Sequence, residues 1–142
     1  MSTAEKPAIS AAVIVRNGRV LLVKRRVKEG TLSWQFPAGG VEPGETPVEA
    51  AIREAREETT LVATELKVLG DRIHPKTGRE MHYVAVDAPE GFAAVGDEEE
   101  LAAVAWATHD ELGEYVPYGF FEPVQEYLDD ALGESSSVVG RD

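Results

Sequence analysis

The stretch Gly39–Leu61, GGVEPGETPVEAAIREAREETTL, decides how this chain is read. It opens as a glycine-rich loop, passes through Thr46-Pro47-Val48-Glu49 and becomes a helix. Thr46 is a capping residue, and Pro47 suits the first helical turn, where no N–H is needed. Glu49 completes a capping box. At about 100° per residue, Val48, Ala51, Ile52, Ala55, Thr59 and Val62 fall on one stripe, which is the expected buried face. Beside it stand Glu54, Glu57 and Glu58, spaced so that their carboxylates can converge. So much negative charge on part of one helix calls for a cation. A hard divalent metal, which prefers carboxylate oxygens, is the simplest one.

Upstream, the apolar runs Ile9–Val15 and Arg19–Val23 flank Asn17-Gly18, which predicts a β-hairpin. Val27 to Ser33 reads as a loop, and Trp34-Gln35-Phe36 as a short strand stopped by Pro37. Downstream, Leu66–Ile73 and Met81–Val86 read as strands joined by the turn His74-Pro75-Lys76-Thr77-Gly78. Gly91–Gly96 is a loop leading to the acidic run Asp97-Glu98-Glu99-Glu100, and Leu101–Ala107 ends in a strand carrying Trp106. Thr108 caps a short helical turn through Leu112, and Phe120–Leu132 has the pattern of an amphipathic helix. Residues 1–7 and 133–142 read as flexible ends of one domain spanning 1–142. Strands mixed with two substantial helices predict an α+β fold, a mixed central sheet with a helix on each face.

Bulk composition narrows the function classes. The 142 residues suit a single domain, and 43% hydrophobic with 28% charged is ordinary for a soluble globular protein. The net charge of −12 repels nucleic-acid polymers and anionic membranes, yet admits a small anionic substrate if the site carries its own cations. Absence of cysteine excludes disulfides and thiol catalysis and is compatible with the cytoplasm. The N-terminus MSTAEKPAIS lacks a secretory apolar core, and no apolar run reaches membrane-spanning length.

Gly39, Glu45 and then Arg53-Glu54-Ala55-Arg56-Glu57-Glu58-Thr59-Thr60-Leu61 resemble the Nudix box, G-x5-E-x7-R-E-U-x-E-E-x-G-U with U aliphatic. Thr60 stands where the pattern has glycine, and Ala55 is a small choice for its U position. Phe36-Pro37-Ala38-Gly39-Gly40 and the Trp106 strand followed by Asp110-Glu111-Leu112 extend the likeness over most of the chain. The resemblance implies an α/β/α sandwich that hydrolyses nucleoside diphosphate-linked compounds with Mg²⁺, for which Mn²⁺ can substitute. It implies Glu54, Glu57 and Glu58 as metal ligands, with the backbone carbonyl of Ala38 as a fourth. Arg53 can reach Glu57 at i+4, and Glu45 can brace Arg53 in turn. The general base is then Glu54 or a glutamate of the later loop. Glu100, six residues before Trp106, leads there, with Glu98 and Glu99 as rivals. Homodimers are common in the family.

Arg25 and Arg26 end the second strand and have the shape to bind phosphates, although surface arginines need no such role. Trp34, Tyr83, Tyr118 and Phe121 are candidates to stack on a base, Trp34 and Phe121 foremost, against the alternative that they are core residues. His74, His82 and His109 are scattered and read as ordinary turn or surface residues. The short chain resembles the MutT-like branch, which implies a (deoxy)nucleoside triphosphate as substrate, cleaved to the monophosphate and pyrophosphate. Pro37-Ala38-Gly39 and Pro75 resemble features of ADP-ribose pyrophosphatases instead, and dinucleotides and nucleotide sugars belong to the same alternative. In MutT-type members acting on oxidised guanine, an asparagine precedes the Glu-Pro pair. Phe121 holds that place here and cannot read a base edge by hydrogen bonds. A non-catalytic nucleotide-binding module is the rival class. Thr60 favours it and the full set of box carboxylates opposes it. Because Thr60 lies after the last expected ligand, the helix exit is expected to leave Glu57 and Glu58 undisturbed.

Overall fold

The computed structural model describes residues 6–29 and 32–133. The expected flexibility of residues 1–5 and 134–142 lies outside these. Five strands form the main path of one sheet: β1 (Ile9–Arg16), β2 (Arg19–Glu29), β3 (Leu32–Gln35), β5 (Thr64–Ile73) and β6 (Glu80–Asp87), in the order β3-β2-β1-β6-β5. β4 (Ala38–Gly40) pairs with β1, and β7 (Leu101–Ala107) pairs with β2. β1 and β6 run parallel and the other pairs antiparallel, so the sheet is mixed. The β1–β2 turn has both Asn17 and Gly18 at positive φ, as the Asn-Gly pair predicts.

Alternation along β1 sends side chains to opposite faces. Ala11 and Val13 join Val20, Leu22 and Tyr83 on one face, covered by α3 (Glu122–Leu132) through Val124 and Leu128. Ala12 and Ile14 join Leu21, Val84 and Val86 on the other, covered by α1 (Pro47–Thr59) through Ala51 and Ala55. The expected helix on each face is therefore present. A 3-10 turn, His109–Glu111, leads into the single-turn α2 (Leu112–Tyr115). The Thr108 N–H donates to Glu111 Oε1 at 2.9 Å there. α1 starts as its sequence requires: Thr46 Oγ1 accepts from the Glu49 N–H at 3.1 Å, and Glu49 Oε1 accepts from the Thr46 N–H at 3.0 Å. The fully buried Ser10 hydroxyl donates to the Pro47 carbonyl at 2.5 Å and ties the first turn to β1.

Three expectations are corrected. Val27–Ser33 is not simply a loop. β2 continues to Glu29 and β3 begins at Leu32, with Glu29 opposite Leu32, because the strands go on pairing past the polar residues. The glycine-rich opening of the deciding stretch is strand β4, with Gly39 opposite Ser10. Val62 is not on the buried stripe but 69% exposed, because the helix has already ended and its phase no longer applies.

The ending is at Thr60, which adopts φ 69° and ψ 1°, left-handed, while its N–H bonds the Arg56 carbonyl at 2.9 Å. A β-branched residue meets Cβ–carbonyl crowding in that conformation, at a cost of roughly 1–2 kcal/mol. Thr60→Gly is therefore expected to raise unfolding stability by about 1 kcal/mol, the added freedom of the unfolded chain offsetting part of the gain. Urea denaturation measures this, and a variant less stable than the parent would contradict the strain.

Candidate active site

Arg53 projects from the middle of α1 and gathers the acidic residues around one guanidinium. Its Nε donates to Glu45 Oε2 at 2.8 Å and its Nη2 to Glu45 Oε1 at 2.9 Å, a bidentate pair. Its Nη1 donates to Glu54 Oε2 at 2.8 Å and to Glu57 Oε1 at 3.2 Å. Nη2 also reaches the Gly40 carbonyl of β4 at 2.9 Å, locking helix to strand. Glu45 accepts from the Glu42 N–H as well, at 2.9 Å. The hydrogen bonds from Arg53, and then that backbone bond, lower its pKa to about 2. Glu45 bracing Arg53, and Arg53 reaching Glu57, are both present as the spacing predicts.

Glu58 lies on the inner side of the helix with its side chain only 6% exposed. Its Oε1 accepts from the Ala38 N–H at 3.1 Å, and its Oε2 from Arg25 Nη1 at 3.0 Å. Burial pushes its pKa up to about 7, with Arg25 and the Ala38 N–H offsetting only part of that effect. Burial also raises Glu54, partly countered by Arg53. Glu57 stands at the rim, its side chain 56% exposed. Gly39 is glycine for a local reason: a Cβ there would stand 2.2 Å from the Glu54 carboxyl carbon. The strand and the carboxylate meet where only a hydrogen fits.

The later acidic loop docks against the end of α1. The Gly96 N–H donates to the Glu58 carbonyl at 2.9 Å, and the Ala94 N–H to the Thr59 carbonyl at 3.1 Å. Those bonds use carbonyls that the helix end leaves unpaired. A Cβ on Gly96 would come within 2.3 Å of the Glu57 carbonyl oxygen, so this glycine permits the contact. Arg26 holds the loop from β2: its N–H donates to the Glu100 carbonyl at 2.8 Å and its Nε to the Glu98 carbonyl at 2.7 Å. Glu100 comes within 3.7 Å of Arg25 Nη2, so one arginine spans Glu58 and Glu100.

Trp34 and Phe121 lie apart from these carboxylates and line a cavity of about 160 Å³ on the α3 face of the sheet. Trp34 meets Tyr115 edge-on at 4.9 Å, and Phe121 tilts against Tyr83 at 5.5 Å. Arg72, Arg79 and Gln35 also line it, and the sequence reading singled out none of them. They come from β3, from β5 and from the turn before β6, a convergence that no local spacing announces. Ala38 lines the cavity while its N–H holds Glu58, so it joins the two regions. His82 pairs with Glu80 at 3.1 Å and His109 with Asp129 at 2.7 Å, both away from the carboxylates of α1.

Among the described residues, no three or more carboxylates or imidazoles are drawn together as a set that could hold a metal ion. Arg53 and Arg25 occupy the carboxylate oxygens instead. The donors themselves are all hard oxygens, and Glu54 and Glu58 are shielded from solvent, with side chains 12% and 6% exposed. They suit a divalent cation in chemistry. Because the Glu58 pKa is raised, the folded state binds its proton more tightly than the unfolded state does. Its charge costs stability above about pH 7, on the order of 3 kcal/mol, and that cost fades as pH falls toward 4.5. Glu45 acts oppositely, losing its stabilisation as pH falls from 4.5 toward about 2. Metal-free protein should therefore be most stable near pH 4.5, and Glu58→Gln should flatten the decline between about pH 4.5 and 7. Thermal melts from pH 4 to pH 9 test this; equal slopes in parent and variant would exclude Glu58 as the source.

A family profile described as NUDIX domain matches residues 6–129. The chain is 32% identical over 108 residues to a CTP pyrophosphohydrolase of Escherichia coli K12, covering 75% of this chain and 79% of that protein. It is 46% identical over 65 residues to an RNA pyrophosphohydrolase of Halorhodospira halophila, covering 46% of this chain and 34% of that protein. The match thus spans about a third of that relative's length. A MutT NUDIX hydrolase from Burkholderia pseudomallei superimposes with TM-score 0.64 at 26% identity, over 90% of this chain and 99% of that one. The deciding stretch, its arginine-centred carboxylates and the sheet that carries them belong together: this chain is a member of the NUDIX hydrolase family.

Proposed function

We propose that this chain hydrolyses (deoxy)nucleoside triphosphates to the monophosphate and pyrophosphate, with Mg²⁺ as cofactor and Mn²⁺ as a substitute. The observation that carries the reading is the junction at Ala38, where buried helix carboxylates adjoin an aromatic-lined cavity. One end suits phosphates with a cation and the other suits a base. The pyrophosphohydrolase names of the CTP and RNA relatives support a phosphoanhydride as the bond cleaved.

Glu54, Glu57, Glu58 and the Ala38 carbonyl would hold the metal, which when bound screens phosphate charge and lowers the pKa of water. Arg53 orients Glu54 and Glu57, and Glu45 fixes Arg53. Arg25 and Arg26 supply positive charge on the strand facing the acidic loop. Glu100 accepts the proton of the attacking water: its side chain is 59% exposed, and Arg25 at 3.7 Å is a loose partner. Glu54, the rival base, is already engaged by Arg53 at 2.8 Å. Trp34 and Phe121 flank the base.

Purified protein with Mg²⁺, assayed on canonical and oxidised dNTPs, ADP-ribose, NADH, dinucleoside polyphosphates and nucleotide sugars, should release pyrophosphate from a triphosphate fastest. Glu57→Gln and Glu58→Gln should each lose roughly a hundredfold or more in kcat, while Thr60→Gly should change it only a few-fold. An unimpaired Glu57→Gln/Glu58→Gln double variant would sink the metal assignment.

A further inference from the structure

Glu98, Glu99 and Glu100 follow one another in the loop that docks on the end of α1, and the backbone holds them differently. The Glu98 carbonyl accepts from Arg26 Nε at 2.7 Å. The Glu99 N–H donates to Asp97 Oδ1 at 3.2 Å. Glu100 is held on both sides. Its N–H donates to Asp97 Oδ1 at 3.3 Å and to the Asp97 carbonyl at 3.2 Å, and its carbonyl accepts from the Arg26 N–H at 2.8 Å. Its carboxylate stays accessible, with Arg25 as a loose partner. A fixed backbone carrying a free carboxylate suits a group that must meet a water at a set distance.

Asp97 is the centre of this arrangement. It is half-buried, and its carbonyl also takes the Leu101 N–H at 2.9 Å, closing one helical turn. Its side-chain oxygen serves that turn as a cap, accepting from N–H groups two and three residues on. The residue before it, Gly96, is bonded to the Glu58 carbonyl and fits only because it lacks a Cβ. A continuous series of contacts thus runs from the end of α1 through Gly96 and Asp97 to the backbone of Glu100. We propose that Asp97 is a positioning residue, whose carboxylate oxygen fixes Glu100 relative to the helix end that carries Glu57 and Glu58. The inference rests on the triphosphate hydrolysis, with Glu100 as base, proposed above. There the water proton passes to a Glu100 oxygen while the water oxygen bonds phosphorus, and the anhydride electron pair leaves with the departing phosphate. Asp97 contributes an acceptor at a set place, and its negative charge is dispensable. Asparagine offers the same acceptor at the same reach, whereas glutamate keeps the charge and moves the oxygen by one methylene. A role in binding a cation, or in simple charge balance, demands the opposite order.

Steady-state kinetics on the full chain with Mg²⁺ and its best triphosphate separate these. Asp97→Ala and Asp97→Glu should each lose about tenfold to a hundredfold in kcat, with KM changed less than about threefold. Asp97→Asn should keep kcat within about threefold of the parent. In a Glu100→Gln background, Asp97→Glu should cost less than about threefold more, because residues acting as a unit are not additive. Amide hydrogen exchange supplies a readout free of turnover: the Glu99 and Glu100 amides should exchange about tenfold faster in the glutamate variant and not in the asparagine one. The glutamate variant serves where the alanine one fails to fold. An active Asp97→Glu with an impaired Asp97→Asn would overturn the inference in favour of charge. Full additivity with Glu100→Gln would overturn it too, leaving Asp97 a structural role and the hydrolytic function intact. A parent that hydrolyses no nucleotide would remove the function and with it the base, even where exchange at Glu100 still depends on Asp97.

Discussion

The structure turns on negative charge held out of water. Glu54 and Glu58 sit on a helix whose neighbouring face is packed against the sheet, and their side chains are nearly shielded from solvent. Such charges are costly to bury, and arginine partners seldom return the whole cost. Here the shortfall is visible in Glu58, whose pKa stays raised despite an arginine and a backbone N–H on its carboxylate. A cluster built only for stability would use apolar side chains of similar volume. On the proposed function, the carboxylates are retained to receive a cation, and the arginines would hold their oxygens in place until it binds.

Close approach supplies the rest of the constraint. β4 passes so near α1 that Gly39 meets the Glu54 carboxylate directly, and Arg53 and Glu58 bond the Gly40 carbonyl and the Ala38 N–H of the same short strand. Gly96 lets the acidic loop reach the last carbonyls of the helix. Thr60 bends the chain away at the point where that loop arrives, and its hydroxyl reaches the Phe92 carbonyl at 3.3 Å. The Thr60 N–H on the Arg56 carbonyl and its hydroxyl on the Phe92 carbonyl hold this turn, so the helix ends in place without glycine while the threonine keeps its strain. Glu57 and Glu58 keep helical positions, since both precede the turn.

Local grammar made α1 legible: a capping box, a proline at the start and three glutamates in register are all encoded within a few residues of one another. The Arg53 pairings with Glu45 and Glu57 follow from the same short range. The Asn17-Gly18 turn and the two faces of the sheet were legible for the same reason, because alternation and turn chemistry need no partner elsewhere. What escaped was set by distance along the chain. β4 is a strand only because β1 lies beside it, and nothing in Ala-Gly-Gly predicts extension. Val62 obeys the helical period but lies beyond the helix, because Thr60 adopts a conformation that its type disfavours. Arg25 could be seen as a cation, but not as the link between Glu58 and Glu100. Gln35, Arg72 and Arg79 come from three pieces of chain and carry no spacing at all.

The connection from β3 to β4 brings one short segment against both the aromatic cavity and the helix carboxylates. Trp34, Gln35 and Phe36 line the cavity, the Pro37 carbonyl accepts from the Ala12 N–H at 2.8 Å, and Ala38 and Gly39 meet the carboxylates. Pro37 fixes its own φ, and its carbonyl is bound into the sheet, so the segment has little freedom to flex. The position of the aromatic cavity relative to the carboxylates is thereby set by backbone and not by side-chain adjustment. On the proposed function, this lets substitutions at the cavity wall change which base is accepted without moving the groups that act on phosphate. It also predicts the converse division of labour. The helix, tied to β4 by Arg53 and Glu58, can remain constant in a family whose substrates differ, because specificity is carried by residues that touch the same strand connection from the other side.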